Sequence, residues 1–168
     1  MRCPSCNKFP ALSTDTDPET DSLEPSDVEF DHDQEKTKLE GTVNVTGDVR
    51  IVLTSECCGD EIKEANFSPD VHIDVKKHKD CTCEDWTDGV ELEVENAAIT
   101  DRNEAFQTKT AKRGLNKGTL VQVPIPFRYQ KRFYGVEMEL HIKCACGKEI
   151  GMDTFSDEEQ ASAMEELN

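Results

Sequence analysis

Cysteines are the residues of this sequence whose type and spacing could do chemistry, and they occur as four close pairs. The eight residues are Cys3, Cys6, Cys57, Cys58, Cys81, Cys83, Cys144 and Cys146. Thiolate sulfur is a strong ligand for zinc, which proteins usually hold with four ligands at the corners of a tetrahedron. Two close pairs brought together by a β-hairpin would supply such a tetrahedron. The pairs therefore predict zinc sites made of four cysteines.

An internal repeat divides the four pairs into two sets. Residues 48–68 align with residues 135–156 when one gap is allowed, and Cys57 then lies opposite Cys144. Alternating apolar residues precede the aligned cysteines in both copies, Phe-Ser ends both, and a further cysteine pair lies upstream of each. We assign one Zn²⁺ to each of two sites. The first site comprises Cys3, Cys6, Cys57 and Cys58, and the second comprises Cys81, Cys83, Cys144 and Cys146.

The adjacent cysteines Cys57 and Cys58 are irregular for such a site, because two residues normally separate the cysteines of a zinc-binding turn. The repeat explains them as a shortened version of Cys144-Ala145-Cys146, with Gly59 in the place of Gly147. Three alternatives remain open: disulfides, an iron–sulfur cluster, and a different grouping in which the two middle pairs share one site.

Two histidines could replace a cysteine ligand. His78 and His141 each lie three residues before a cysteine. The simpler interpretation is a pair of exposed histidines near strand ends, and we favour it because His141 falls between Leu140 and Ile142, which are predicted to point inward.

The elements around the cysteines are predicted to be strands. Apolar residues alternate along residues 42–53 and 135–142, which is the pattern of half-buried strands. Pro124 and Pro126 lack the amide hydrogen that a central strand needs, so they predict an edge or bulged strand. Ser156 with Glu159 has the spacing of a helix capping box and predicts a short C-terminal helix.

The fold class that follows is mainly β, with two tandem modules that resemble zinc ribbons. We expect a first module over residues 1–75, which includes an acidic arm at 13–40, and a second over 76–156, which includes a basic hairpin at 106–134. An acidic helix at 157–168 ends the chain. Only 35% of the residues are hydrophobic, so small modules stabilised by metal are more plausible than one large core.

Charge is distributed unevenly along the chain. The net charge is −17, yet residues 106–134 contain seven basic and no acidic side chains. Interleaved cations and aromatic rings are typical of proteins that bind single-stranded nucleic acid. The alternative is that these cations pair with the acidic arm or tail. The candidate partner-binding residues are Lys109, Lys112, Arg113, Lys117, Arg128, Tyr129, Lys131 and Arg132.

Several function classes have no signal in the sequence. There is no H-E-x-x-H zinc-protease motif, no phosphate-binding glycine loop and no G-x-S-x-G motif. Four thiolates would also close a zinc site to substrate. No apolar run approaches the roughly 20 residues of a membrane span, and the first ten residues lack the apolar segment of a signal peptide. We expect a cytoplasmic, non-catalytic protein whose main partner is another protein.

The first 70 residues carry a resemblance to a group of proteins. The opening MRCPSCNKF, the acidic spacer, GTVNVTGDVRIV and the cysteine turn followed by EIKEANF resemble small uncharacterised zinc-ribbon proteins of tailed phages and related prokaryotic sequences. The resemblance implies a viral setting in the host cytoplasm, and it implies no activity.

Overall fold

The computed structural model describes residues 12–13, 16–56, 58–115, 117–126 and 131–162, and these are mainly β, as predicted. No helix occurs among the described residues. The strands are β1 Leu12–Ser13, β2 Glu24–Pro25, β3 Glu40–Thr46, β4 Val49–Ser55, β5 Glu61–Phe67, β6 Asp70–Lys76, β7 Glu91–Glu104, β8 Phe106–Thr110, β9 Leu120–Pro124, β10 Lys131–Lys143 and β11 Glu149–Ser162.

Two three-stranded sheets form the first half of the chain. Strand β4 pairs with β1 and β5, and strand β3 pairs with β2 and β6, with all pairings antiparallel. The predicted alternation is confirmed, because Val43, Val45, Val49, Ile51 and Leu53 are all fully buried. Strands β3 and β4 follow one another in sequence but belong to different sheets, so the chain turns a corner between them.

One three-stranded sheet dominates the second half. The long strand β10 is its centre, with β7 on one side and β11 on the other, both antiparallel. Val136, Met138, Leu140 and Ile142 alternate along β10 and are buried. The hairpin of β10 and β11 therefore repeats the hairpin of β4 and β5, in agreement with the sequence alignment.

The predicted C-terminal helix is wrong over the residues that can be checked. Residues 157–162 continue β11, where Glu158 pairs with Gly135 and Glu159 with Tyr134. The first turn of a short helix has to form against an unfavourable nucleation equilibrium. The exposed edge of β10 offers a complete ladder of backbone partners, and this outweighs the local capping signal. Residues 163–168 lie outside the described part.

The two halves contribute to a single hydrophobic cluster. It contains Val43 and Ile51 from the first half and Tyr134 and Leu140 from the second. Strand β11 packs beside β6 so closely that a Cβ atom at Gly151 would collide with the backbone of β6. The halves therefore meet through packed side chains and close backbone approach.

The acidic arm is an excursion that packs along the first half. Glu19 forms a bridge with Arg50, Glu29 forms one with Thr42, and Leu23 is buried in the core. Backbone hydrogen bonds and the apolar side chains of Leu23, Val28 and Phe30 thus hold a segment whose composition is typical of a linker.

Candidate metal centre

The cysteines assigned to the second site come together in space. Cys81 and Cys83 lie in the loop between β6 and β7, and Cys144 and Cys146 lie in the turn between β10 and β11. The four sulfur atoms all lie within 4.8 Å of one another. Cys144 is fully buried, while Cys81 and Cys83 are half-buried. The residues that sequence spacing placed in one site therefore form one cluster.

Two of the distances between the sulfur atoms fit a four-thiolate site. Zinc–sulfur bonds of about 2.3 Å arranged as a tetrahedron place neighbouring sulfurs about 3.8 Å apart. The Sγ atoms of Cys81 and Cys144 are 3.8 Å apart, and those of Cys81 and Cys146 are 3.7 Å apart. The Cys144 and Cys146 sulfurs are closer, at 2.8 Å, which is still well beyond the roughly 2.05 Å of a disulfide bond. All four residues are free thiols.

The backbone conformation of the turn that carries Cys144 and Cys146 explains why a glycine follows them. Gly147 has φ of 84°, in the left-handed region that glycine adopts at little cost. Its N–H donates to the Cys144 carbonyl at 2.8 Å, and the Cys144 N–H donates to the Lys148 carbonyl at 2.9 Å. The turn is therefore closed by its own backbone, and both sulfurs are held on one side.

The thiols of the cluster change one another's pKa values. Hydrogen bonding from the Cys144 thiol lowers the pKa of Cys146 to about 6. The contact with Cys146, helped by desolvation, raises the pKa of Cys83 to about 12, and burial raises the pKa of Cys144. Hydrogen bonding to Cys146 and desolvation thus hold the protons on Cys83 and Cys144, so ionisation of these thiols carries a penalty. A cation at the centre would remove that penalty.

The first predicted site falls largely outside the described residues. Cys3, Cys6 and Cys57 are among the residues that the structure does not describe, and Cys58 is exposed in the turn between β4 and β5. The following Gly59 has φ of 71°, the same left-handed conformation as its repeat partner Gly147. The first four-cysteine site stays a prediction.

Neither histidine near a cysteine belongs to the cysteine cluster. The His78 ring accepts a hydrogen bond from the Asp80 N–H at 3.0 Å. His141 is not the exposed residue that we expected, since only 13% of its side chain is accessible. Carboxylates of Glu95, Glu139 and Glu149 surround its ring.

Part of the predicted basic hairpin, strands β8 and β9, forms a two-stranded sheet of its own. Among the strands that the structure describes, β8 and β9 pair only with each other, and Phe106 and Leu120 are 59% and 75% exposed. The edge position that the prolines predicted is confirmed within the described part of the chain, where β9 ends at Pro124 and has β8 as its one neighbouring strand. The cations that it exposes are Lys109, Lys112, Arg113 and Lys117.

The remaining candidate binding residues lie elsewhere. Arg128 and Tyr129 are outside the described residues, and Lys131 is exposed at the start of β10. Arg132 is half-buried, with its guanidinium 3.0 Å from the Asp101 carboxylate and over the Tyr134 ring. Arg132 is thus tied into the large sheet by an acid of β7, and not by the acidic arm or tail that the alternative named.

Comparison with protein-family models, with curated proteins and with solved structures found no match for this chain. Among the residues that the structure describes, none belongs to a helix long and apolar enough to cross a membrane.

Proposed function

We propose that this chain is a zinc-stabilised, non-catalytic interaction module. The observation that carries the proposal is the cluster of Cys81, Cys83, Cys144 and Cys146, whose sulfurs lie within 4.8 Å of one another. Four sulfur ligands and no oxygen or nitrogen ligand favour zinc over magnesium, calcium or manganese. A site closed by four thiolates has no free position for a substrate, so its role is structural.

Zinc at this cluster would join parts of the chain that are distant in sequence. It would tie the β6–β7 loop to the β10–β11 turn, a link that spans 63 residues between Cys81 and Cys144. Metal binding of this kind contributes directly to the free energy of folding. The repeat extends the proposal to a second Zn²⁺ held by Cys3, Cys6, Cys57 and Cys58, which makes two tandem modules.

Native mass spectrometry of the full chain, with and without a chelator, tests the metal proposal. We expect two zinc ions per chain and loss of β structure in circular dichroism when the chelator removes them. A chain that carries no zinc and keeps its structure in chelator would refute the structural role. A single zinc ion would refute only the first site.

The surface that we propose for the partner is the hairpin of β8 and β9. Residues 105–126 contain four cations and no acid, on a chain whose net charge is −17. Exposed Phe106 and Leu120 add apolar contact area beside them. We propose an acidic protein partner. Electrostatic attraction would steer it to the basic hairpin, while the acidic remainder of the chain would repel it. The sequence resemblance favours a phage-type accessory role in a host cytoplasm.

Binding of single-stranded nucleic acid is the second candidate function. The observation that favours it is Phe106, which is 59% exposed on the same hairpin as Lys109 and could stack on a base. Fluorescence anisotropy with labelled single-stranded DNA at increasing salt separates the two functions. Phosphate contacts give a steep fall of affinity with salt, so absence of binding at low salt would exclude nucleic acid.

Charge reversal locates the surface for either partner. A variant with Lys109, Lys112, Arg113 and Lys117 changed to Glu should lose binding while its zinc content stays unchanged. A variant with Lys76, Lys77 and Lys79 changed to Glu adds three acids elsewhere and serves as a control. Equal loss in both variants would show that net charge, and not the hairpin, governs binding.

A further inference from the structure

A second group of metal-ligating side chains lies on the outer face of the β7–β10–β11 sheet. Because side chains alternate along a strand, Glu139 and His141 lie on the face opposite the buried Leu140. The His141 Nε2 atom is 3.2 Å from Glu95 Oε2 and 3.3 Å from Glu139 Oε2. The other ring nitrogen, Nδ1, contacts the Glu149 carboxylate. Three carboxylates thus surround one imidazole.

This arrangement favours a positive charge at the His141 ring. A neutral imidazole carries one N–H, and its second nitrogen presents a lone pair. When Nδ1 donates to Glu149, the Nε2 lone pair faces the carboxylates of Glu95 and Glu139, which repel it. A proton or a metal ion at that position resolves the conflict. A proton would still leave three carboxylates around a single positive charge, whereas a divalent ion neutralises more of them.

The distances suit a metal ion. Ions bound at about 2.1 Å by nitrogen and oxygen ligands place neighbouring ligand atoms about 3.0–3.4 Å apart, for octahedral or tetrahedral geometry. The two separations from His141 Nε2, 3.2 and 3.3 Å, fall in this range. We propose that His141 Nε2 and one carboxylate oxygen each from Glu95 and Glu139 bind a divalent transition ion such as Mn²⁺. Water would complete the coordination, because the Glu95 side chain is 45% exposed.

The surrounding groups orient these ligands. The Asn96 side-chain amide donates to Glu139 Oε2 at 2.8 Å. Glu149 fixes the His141 ring through Nδ1, which is how carboxylates commonly support histidine ligands. The neighbouring Lys143 forms an ion pair with Glu93 and lowers the pKa of that carboxyl. Glu93 is therefore already neutralised and does not compete for the ion.

A β-bulge brings the ligands into line. Ala98 is the partner of Glu137 and Glu95 the partner of Glu139, so two residues of β7 lie opposite one residue of β10. Asn96, inside the bulge, has φ of 52°, a left-handed conformation that asparagine tolerates better than most residues. The bulge shifts the alternation of β7 and places Glu95 directly across from Glu139.

Titration with Mn²⁺ tests the site on the full chain loaded with zinc. Manganese binds sulfur sites more weakly than zinc does, so it should leave the cysteine cluster intact. We expect electron paramagnetic resonance of free Mn²⁺ to show uptake of one ion per chain at 150 mM salt. Glu95→Gln, Glu139→Gln and His141→Gln should each weaken this uptake at least tenfold. Glu149→Gln, which removes only the group behind the histidine, should weaken it by about ten- to a hundredfold.

Glu137→Gln is the matched control, since it removes one exposed carboxylate from the same face of the same strand and should leave the uptake unchanged. No saturable uptake, or equal weakening by Glu137→Gln and Glu95→Gln, would overturn the inference. Zinc content and circular dichroism confirm that each variant is folded, and exposed Glu95 provides a variant with little risk of misfolding. The zinc count of the same samples reports separately on the cysteine sites, so either proposal can fail alone.

Discussion

At the scale of single residues, Cys144 is where the metal centre meets the core. It is fully buried, belongs to the hydrophobic cluster and directly follows β10. Its position is fixed by the packing of the strand, whereas Cys146 is held by the turn that Gly147 closes. One sulfur of the pair is therefore placed by tertiary packing and the other by local backbone geometry.

Cys146→Ser tests the ligand role with little disturbance of the core. We expect this variant to lose one zinc ion and to unfold at a lower temperature, because three thiolates hold zinc less tightly than four. Zinc stoichiometry by mass spectrometry and thermal unfolding by circular dichroism measure both effects. Ala145→Ser changes a residue of the same turn that is no ligand, and it should behave as the wild type. A Cys146→Ser variant with unchanged zinc content would contradict the assignment.

Trp86 joins the acidic arm to the second half of the chain. It is 5% exposed, its indole N–H donates to the Lys38 carbonyl at 2.8 Å, and its ring meets Phe30 edge to face. Trp86→Ala should lower the free energy of unfolding by about 3–5 kcal/mol through the lost packing. Trp86→Phe keeps most of the packing but leaves the carbonyl unpaired, so it should cost about 1–3 kcal/mol.

Urea unfolding followed by circular dichroism measures both Trp86 variants. The order of the two variants is the informative result, because it separates packing from the hydrogen bond. An alanine variant as stable as the wild type would show that the arm does not pack on Trp86 in solution.

At the scale of elements, β11 shows tertiary pairing prevailing over a local signal. Residues 156–159 have the spacing of a helix start, yet they pair with β10 residues 134–137. The alternation of buried side chains continues along β10 to Tyr134, near the start of the strand. An edge of that length provides backbone partners for the acidic segment.

Nuclear magnetic resonance distinguishes strand from helix in residues 156–160. We expect cross-strand Overhauser contacts between Tyr134 and Glu159, since these residues are paired in the ladder. A helix would instead give contacts between residues three apart, such as Ser156 and Glu159. Detection of the helical pattern with no contact to Tyr134 would show that the sequence signal was correct after all.

At the scale of the whole molecule, the fold divides into a packed body and a projecting hairpin. The body contains the hydrophobic cluster, the cysteine cluster and the carboxylates around His141. None of the described residues of β8 and β9 belongs to the buried core. Stability and partner binding are therefore expected to reside in different parts of the chain.

Shortening the hairpin tests this division. Replacement of residues 109–121 by Asn-Gly joins Thr108 to Gln122, which are paired in the ladder, through a two-residue turn. We expect the free energy of unfolding to change by less than about 0.5 kcal/mol, because surface changes away from packed features are usually that small. Zinc content should also stay constant while partner binding is lost. A large loss of stability, measured by urea unfolding, would contradict the division.

Much of the β architecture could be predicted from the sequence, because alternation of Val49, Ile51 and Leu53 reports which face is buried without reference to other segments. The grouping of Cys81 and Cys83 with Cys144 and Cys146 followed from the repeat. The bulge is also visible in the sequence, because the alternation of apolar residues along β7 is displaced by one position between Val94 and Ala97. The sequence could therefore have predicted the bulge, but not that the bulge places Glu95 beside Glu139.

Local sequence thus determined the strands, the cysteine turns and the charge of the hairpin, because each depends on neighbours within a few residues. Only the tertiary structure decided that residues 157–162 form a strand, that the acidic arm packs on the body, and that carboxylates from β7, β10 and β11 meet at His141. Each of these depends on pairing between distant segments. The free energy that stabilises such pairing comes from contacts with the partner segment and not from the local propensity of the residues.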